Sequence, residues 1–129
     1  NSMLPKHPYS GFMVTKRLLE CARAVLRSGS GTLLIQSNCE DVAVMMHKLT
    51  LEAGFESVEA PRFVTADGEP TGRIPQRTIE YIAMGGERAQ GRNWFAEPIL
   101  PRRGATETEV ACILENTPVH RCLFTPGTL

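Results

Sequence analysis

Apolar positions in the first half of the chain follow the spacing of helices and buried strands. Between residues 13 and 26 they recur at steps of three and four, which predicts an amphipathic helix. The members of this stripe are Val14, Leu18, Cys21, Ala22, Val25 and Leu26. The continuous run at residues 32–36, TLLIQ, predicts a buried parallel strand. A second helical stripe, ended by Gly54, consists of Val42, Met45, Met46, Leu49 and Ala53.

The second half predicts strands and loops. Residues 55–60, FESVEA, alternate in polarity as a strand does, whereas residues 61–76 are rich in Gly, Pro, Asp and Thr and predict a loop. Residues 77–84, RTIEYIAM, and residues 93–100, NWFAEPIL, predict two further strands joined by a short Gly-rich turn. We therefore expect an antiparallel hairpin at one edge of the sheet.

The order helix, strand, helix, strand predicts an α/β fold built as a doubly wound parallel sheet, which the hairpin finishes. Residues 1–103 are predicted to form this domain. Composition shifts to Thr, Glu and Pro afterwards, so residues 104–129 are predicted to be an extension, with short strands at 109–114 and 119–124. The chain opens Asn-Ser-Met, and we expect the domain to continue upstream of it.

Charge and cysteine usage limit the functional classes. The 14 basic and 14 acidic residues give a net charge of zero, so any nucleic acid must be bound by local patches. The four cysteines are scattered and lack the short spacings of a zinc site; we expect reduced thiols in an intracellular protein, nuclear or cytoplasmic. No apolar run approaches the roughly 18 residues of a membrane span.

Residues 26–43, LRSGSGTLLIQSNCEDVA, resemble class I S-adenosylmethionine-dependent methyltransferases. In that class a helix ends in a Gly-containing turn, a strand rises to the active-site face, and a helix begins at its tip. The tRNA (guanine-N7-)-methyltransferase family is the most similar, since Ser37-Asn38 stand at the strand tip and are followed by Glu40 and Val42-Ala43. A second similar element comprises Thr78, Glu80, Gly86, Arg88, Gly91 and Trp94.

The resemblance implies the carboxyl-terminal half of a Rossmann-like methyltransferase domain that methylates RNA, with N7 of a tRNA guanine as the target. It implies that S-adenosylmethionine binds mainly in the amino-terminal half, because no Gly-rich turn follows a strand here. It also implies that Thr78 and Glu80 contact the cofactor as well as the substrate. These two residues would share one face of a strand. The implied substrate-binding residues are Lys6, Ser37, Asn38, Thr78, Glu80 and Arg88.

Two departures from the family leave alternatives open. The strand-tip Asp of the family is Asn38 here, and the basic run expected near Lys6 is missing. A scaffold subunit without catalysis that binds a protein partner, or a methyltransferase with a small-molecule or protein target, therefore remains possible. An unrelated α/β nucleotide-binding module is a third alternative. A separate RNA-contact prediction rests on four arginines near two aromatic residues, namely Arg88, Arg92, Arg102, Arg103, Trp94 and Phe95.

Overall fold

The computed structural model describes residues 15–27, 31–66, 72–100 and 117–127, which form three helices and a five-stranded antiparallel sheet. The helices are α1 (Lys16–Arg27), α2 (Glu40–Glu52) and α3 (Gln76–Ala83). The strands are β1 (Leu33–Ser37), β2 (Glu56–Ser57), β3 (Phe63–Val64), β4 (Gly91–Phe95) and β5 (His120–Thr125). The predicted mixed α/β class is confirmed.

Strand β5 is the centre of the sheet. The strands are ordered β1-β5-β4-β3, and β2 also pairs with β5. β1 pairs along the whole of one edge of β5, from Leu33 opposite Phe124 to Ser37 opposite His120. The other edge of β5 is shared, with β2 beside its carboxyl end and Phe95 of β4 opposite Arg121. Although β5 falls in the predicted extension, it is the strand that joins the other parts of the sheet.

The predicted parallel pairing is wrong, because every pair of neighbouring strands in the described part of the chain is antiparallel. Strands β1 and β2, which α2 connects, do run in the same direction, since both are antiparallel to β5. The strand β5, which runs in the opposite direction, lies between β1 and β2. The alternating run at 55–60 forms only the short β2, and β3 lies in the region predicted as a loop.

The predicted strand at residues 77–84 is also wrong, because this segment forms α3. Pro75 immediately precedes the helix, and Gly85 follows it at a φ of 78°, which suits glycine. The Tyr81 ring covers Gly86, and its hydroxyl donates a hydrogen bond of 2.5 Å to the carbonyl of Glu87. The expected hairpin of residues 77–84 with 93–100 therefore does not form, and β4 ends at Phe95.

Helix α1 forms as predicted, but the apolar stripe was assigned to the wrong face in part. Leu19 is buried, and Ala22 and Leu26 pack against the core. Leu18 and Val25, which the prediction placed in the stripe, are 52% and 71% exposed. The buried stripe of α1 therefore keeps Ala22 and Leu26 of the predicted one, and Leu19 takes the place predicted for Leu18.

The core lies between α2 and the sheet. On α2 the side chains from Ala43 to His47 are buried, and Cys122 and Phe124 of β5 are fully buried beneath them. The His47 ring lies between Trp94 and Phe124, with ring centroids 5.2 and 5.3 Å away. Its Nε2 is buried and has no hydrogen-bond partner among the described residues.

Acid is expected to weaken the fold through His47. Burial lowers the pKa of this imidazole below its usual 6.5, against a smaller opposing effect of Glu87 and with Lys48 adding slightly to the lowering. The unfolded chain therefore binds the proton more readily, so the contribution of neutral His47 is complete above about pH 6.5 and is lost as pH falls towards the folded pKa. Urea unfolding between pH 7.5 and 5 measures this. His47→Phe keeps an aromatic ring and should flatten the slope; equal slopes in the two proteins would contradict the expectation.

Candidate functional site

A cavity opens at the end of the sheet where β1 finishes. It lies between the start of α2, helix α3, β3 and the segment that leads into β5. Its lining residues are Glu40, Val64, Ile74, Thr78, Ile82, Arg88, Ala89, Pro118, Val119 and His120. The enclosed space is about 40 Å³, room for roughly three water molecules. The cavity therefore accepts the edge of a ligand, whose remainder must lie across the mouth.

Glu40 is the polar centre of the cavity. It is 2% exposed, yet its carboxylate accepts three hydrogen bonds. Arg88 donates from Nε at 2.9 Å and from Nη2 at 3.4 Å, and the Ala89 N–H donates at 2.7 Å. A buried carboxylate is tolerated only when it is paired and hydrogen-bonded in this way.

The local sequence explains why Glu40 occupies this position. Strand β1 ends at Ser37, whose Oγ accepts a hydrogen bond of 3.1 Å from the Cys39 N–H and so turns the chain. Cys39 is the N-cap of α2, and Glu40 is its first residue. A carboxylate in the first turn is favoured by the helix dipole. Ser37 and Asn38 stand two residues and one residue before this N-cap, and Ser37 stabilises the turn.

Thr78 contacts the same centre from α3. It is 2% exposed, and its Oγ1 accepts a long hydrogen bond of 3.5 Å from the Glu40 N–H. The predicted common face of Thr78 and Glu80 is wrong, because residues two apart on a helix point to nearly opposite sides. Glu80 is exposed and does not line the cavity.

A second contact joins the two helices at the rim. The Arg77 Nε lies 2.7 Å from Asp41 Oδ2, and the arginine side chain is 55% exposed. This pair connects the first turn of α3 to the first turn of α2, beside the contact of Thr78 with Glu40. An exposed ion pair of this kind contributes little to the free energy of unfolding. Its effect is to orient α3 relative to α2.

The thiol at the strand tip is not poised as a nucleophile. Burial raises the pKa of Cys39, with Arg77 opposing and Asp41 adding to the rise. Its Sγ lies 3.8 Å from the side-chain oxygen of Asn38. A thiol with a raised pKa stays protonated at neutral pH, so the chemistry of this rim is that of hydrogen bonding and positioning.

The predicted cluster of arginines around aromatic residues does not assemble in the described part of the chain. Trp94 is 5% exposed and packs on His47 in the core, and Arg88 is tied to Glu40. Arg92 is exposed on β4. Lys6, Arg102 and Arg103 lie outside the described residues.

Of the predicted binding residues, the structure brings Thr78 and Arg88 together at the cavity, with Ser37 and Asn38 on the turn that leads to Glu40. From the sequence, Glu40 was named only as the acidic residue that follows the strand tip, and His120 was not selected. For Glu40, the signal was a carboxylate directly after a strand tip. For His120 the sequence carries no such signal, because its position depends on the pairing of β5 with β1.

Fold and site together define a mixed α/β chain with a hydrogen-bonding cavity at the carboxyl end of a strand. No family model, curated protein or solved structure matches the chain. Within the described residues no three His, Cys, Asp or Glu side chains are grouped as metal ligands. In the same part of the chain, every helix is too short or too polar to cross a bilayer.

Proposed function

We propose that the chain is part of an S-adenosylmethionine-dependent methyltransferase of RNA, with N7 of a tRNA guanine as the target. One observation carries the proposal: the segments that resemble this family, far apart in sequence, converge at one cavity. Ser37 and Asn38 lead into it from β1, Thr78 reaches it from α3, and Arg88 from the segment before β4. Ligands of open α/β sheets bind at this end of the strands.

The topology supports the class. The last strand, β5, is reversed relative to β1 and β2, which α2 connects in the same direction. A reversed last strand is a feature that the class I resemblance implies, and it counts against an unrelated parallel nucleotide-binding module. The ends of β1 and β4 also flank the start of β5, since Ser37 lies opposite His120 and Phe95 opposite Arg121.

A larger Rossmann-like sheet is part of the proposal. Among the described residues no strand pairs with the outer edge of β1, which carries the run Leu33-Leu34-Ile35. Continuous apolar runs are typical of strands inside a sheet covered on both faces. The remaining strands of a methyltransferase domain would pair with this edge.

The described residues do not fit the whole cofactor. A space of about 40 Å³ cannot enclose a nucleoside, and no Gly-rich turn follows β1. We therefore assign the main S-adenosylmethionine site to the rest of the domain and the target base to the cavity mouth. Guanine N7 has a free lone pair, so these residues need only orient the base and exclude water.

Within the site, Asn38 and Thr78 are the groups that we assign to the edge of the base. Arg88 contributes directed N–H groups, and its charge is balanced by Glu40. We leave Glu80 out of the substrate contacts, because it lies on the exposed side of α3.

The test is methyl transfer to tRNA by the complete encoded protein. Thr78→Val removes one buried hydroxyl at nearly constant volume, and the loss of one hydrogen bond, about 1 kcal/mol, corresponds to a fall of roughly fivefold in kcat/KM. Incorporation of labelled methyl groups into tRNA, followed by mapping of the modified base, gives the measurement. Thr32→Val, at an exposed position before β1, is the matched control and should leave the rate unchanged.

Three outcomes would overturn parts of the proposal. Binding of S-adenosylmethionine without RNA methylation would favour a small-molecule or protein target. Failure of the folded protein to bind the cofactor would favour a scaffold subunit. Equal rates for Thr78→Val and Thr32→Val would remove Thr78 from the site.

A further inference from the structure

We propose that Glu40 is the positioning residue of this site, whose carboxylate fixes Arg88 and the backbone at Ala89 relative to the strand tip. The inference rests on the proposed function and deepens it, because it identifies what holds the base-binding groups in place. No part of the family resemblance assigned a contact to Glu40.

The first argument is connectivity. Two other segments meet at this residue. The segment before β4 donates to its carboxylate through Arg88 and Ala89, and Thr78 of α3 accepts a hydrogen bond from its backbone N–H. Glu40 also follows Ser37 and Asn38 by three and two residues. Every predicted binding residue that the structure places at the cavity is thus either bonded to Glu40 or joined to it by the turn.

The second argument is geometry. Arg88 meets the carboxylate with Nε and Nη2, a side-on pairing that sets the plane of the guanidinium group. The 2.7 Å bond from the Ala89 N–H fixes the backbone next to it. Because Arg88 side-chain exposure is 31% and that of Glu40 is 3%, the arginine faces the mouth while the carboxylate holds it from beneath.

The third argument is the energetic bias. A buried carboxylate that loses its charged partner strongly destabilises the fold unless another donor replaces that partner. Arg88 therefore does not leave Glu40 to follow a phosphate. The arginine acts as a fixed hydrogen-bonding group, so its orientation, and with it the catalytic rate, depends on Glu40.

The experiment compares Glu40→Gln and Glu40→Asp in the complete protein, with Glu52→Gln as the matched control at an exposed site on the same helix. Glu40→Gln keeps the length but loses the charge, and Glu40→Asp keeps the charge but is one methylene shorter. We expect both to lower kcat for RNA methylation at least tenfold, with KM for S-adenosylmethionine unchanged. All assays run well below each variant's Tm.

An NMR readout separates this inference from the proposed function. In Glu40→Gln the backbone amides of residues 86–90 should shift and exchange faster, while those of α1 keep their positions. If the unaltered protein does not methylate RNA, the proposed function fails and the amide data still test Glu40. Unmoved amides at 86–90, or a kcat that recovers fully on cooling, would overturn the positioning role.

Discussion

Arg88→Met is expected to destabilise the fold by about 3–5 kcal/mol at neutral pH, because it leaves a buried carboxylate without its charged partner. Glu40 would keep the Ala89 N–H but lose both guanidinium bonds. The 3% exposure of the Glu40 side chain prevents water from replacing them. Urea denaturation followed by circular dichroism at pH 7 gives the change in unfolding free energy.

Two variants control this measurement. Arg17→Met removes an exposed charge from α1 and should change stability by less than about 0.5 kcal/mol. The double variant Glu40→Gln/Arg88→Met buries no charge and should recover much of the lost stability, as replacement of buried ion pairs often does. A cost below about 1 kcal/mol for Arg88→Met would mean that the pair is not buried in solution.

Phe124→Ala is expected to lower the free energy of unfolding by about 3–5 kcal/mol, because it opens a cavity under α2. Phe124 is fully buried on the central strand, and its ring lies 5.3 Å from that of His47 and 6.3 Å from that of Phe55. Thermal or urea unfolding measures the loss. The comparison is Phe63→Ala on β3, which removes the same side chain from a position that is 40% exposed.

The Phe63 variant should lose well under half as much stability, since its ring already contacts water. Phe124→Leu should fall between the wild type and the alanine variant, because it refills part of the cavity. If Phe124→Ala and Phe63→Ala cost the same, the centre of the core is not at β5.

The elements that depend on local pattern were predictable from the sequence. The run at residues 32–36 gave β1 within one residue, and the stripe from Val42 to Ala53 gave α2, whose end at Gly54 has a φ of 100°. These signals lie within a single element. They need no knowledge of what the element packs against.

Residues 77–84 show where this reasoning fails. Eight residues with Ile at positions 79 and 82 fit either a strand or two turns of helix, and short apolar runs do not separate the two. Pro75 and Gly85, at the two ends, were the better signal. The error also placed Thr78 and Glu80 on one face. Thr78 does line the cavity, but the assignment of Glu80 to the same site was wrong.

The relative direction of the strands could not be predicted from the local hydrophobic pattern. Whether β1 has a parallel or an antiparallel neighbour depends on β5, which lies at the far end of the described chain. The position of His120 likewise could not be predicted locally, because it lies at the cavity only when β5 pairs with β1 so that His120 is opposite Ser37. Glu40 was visible in the sequence, but its partners Arg88 and Ala89 were not, because that contact is tertiary.

The central place of β5 has a consequence for how the protein is made. The ribosome synthesises β1, α2 and β4 before the strand that joins them, so α2 has no completed surface to cover until β5 has been made. Closing contacts across such a stretch of chain is slow. A nascent polypeptide arrested before His120 is therefore expected to stay open to proteases and chaperones, and a frameshift just before β5 should be as damaging as one before α2.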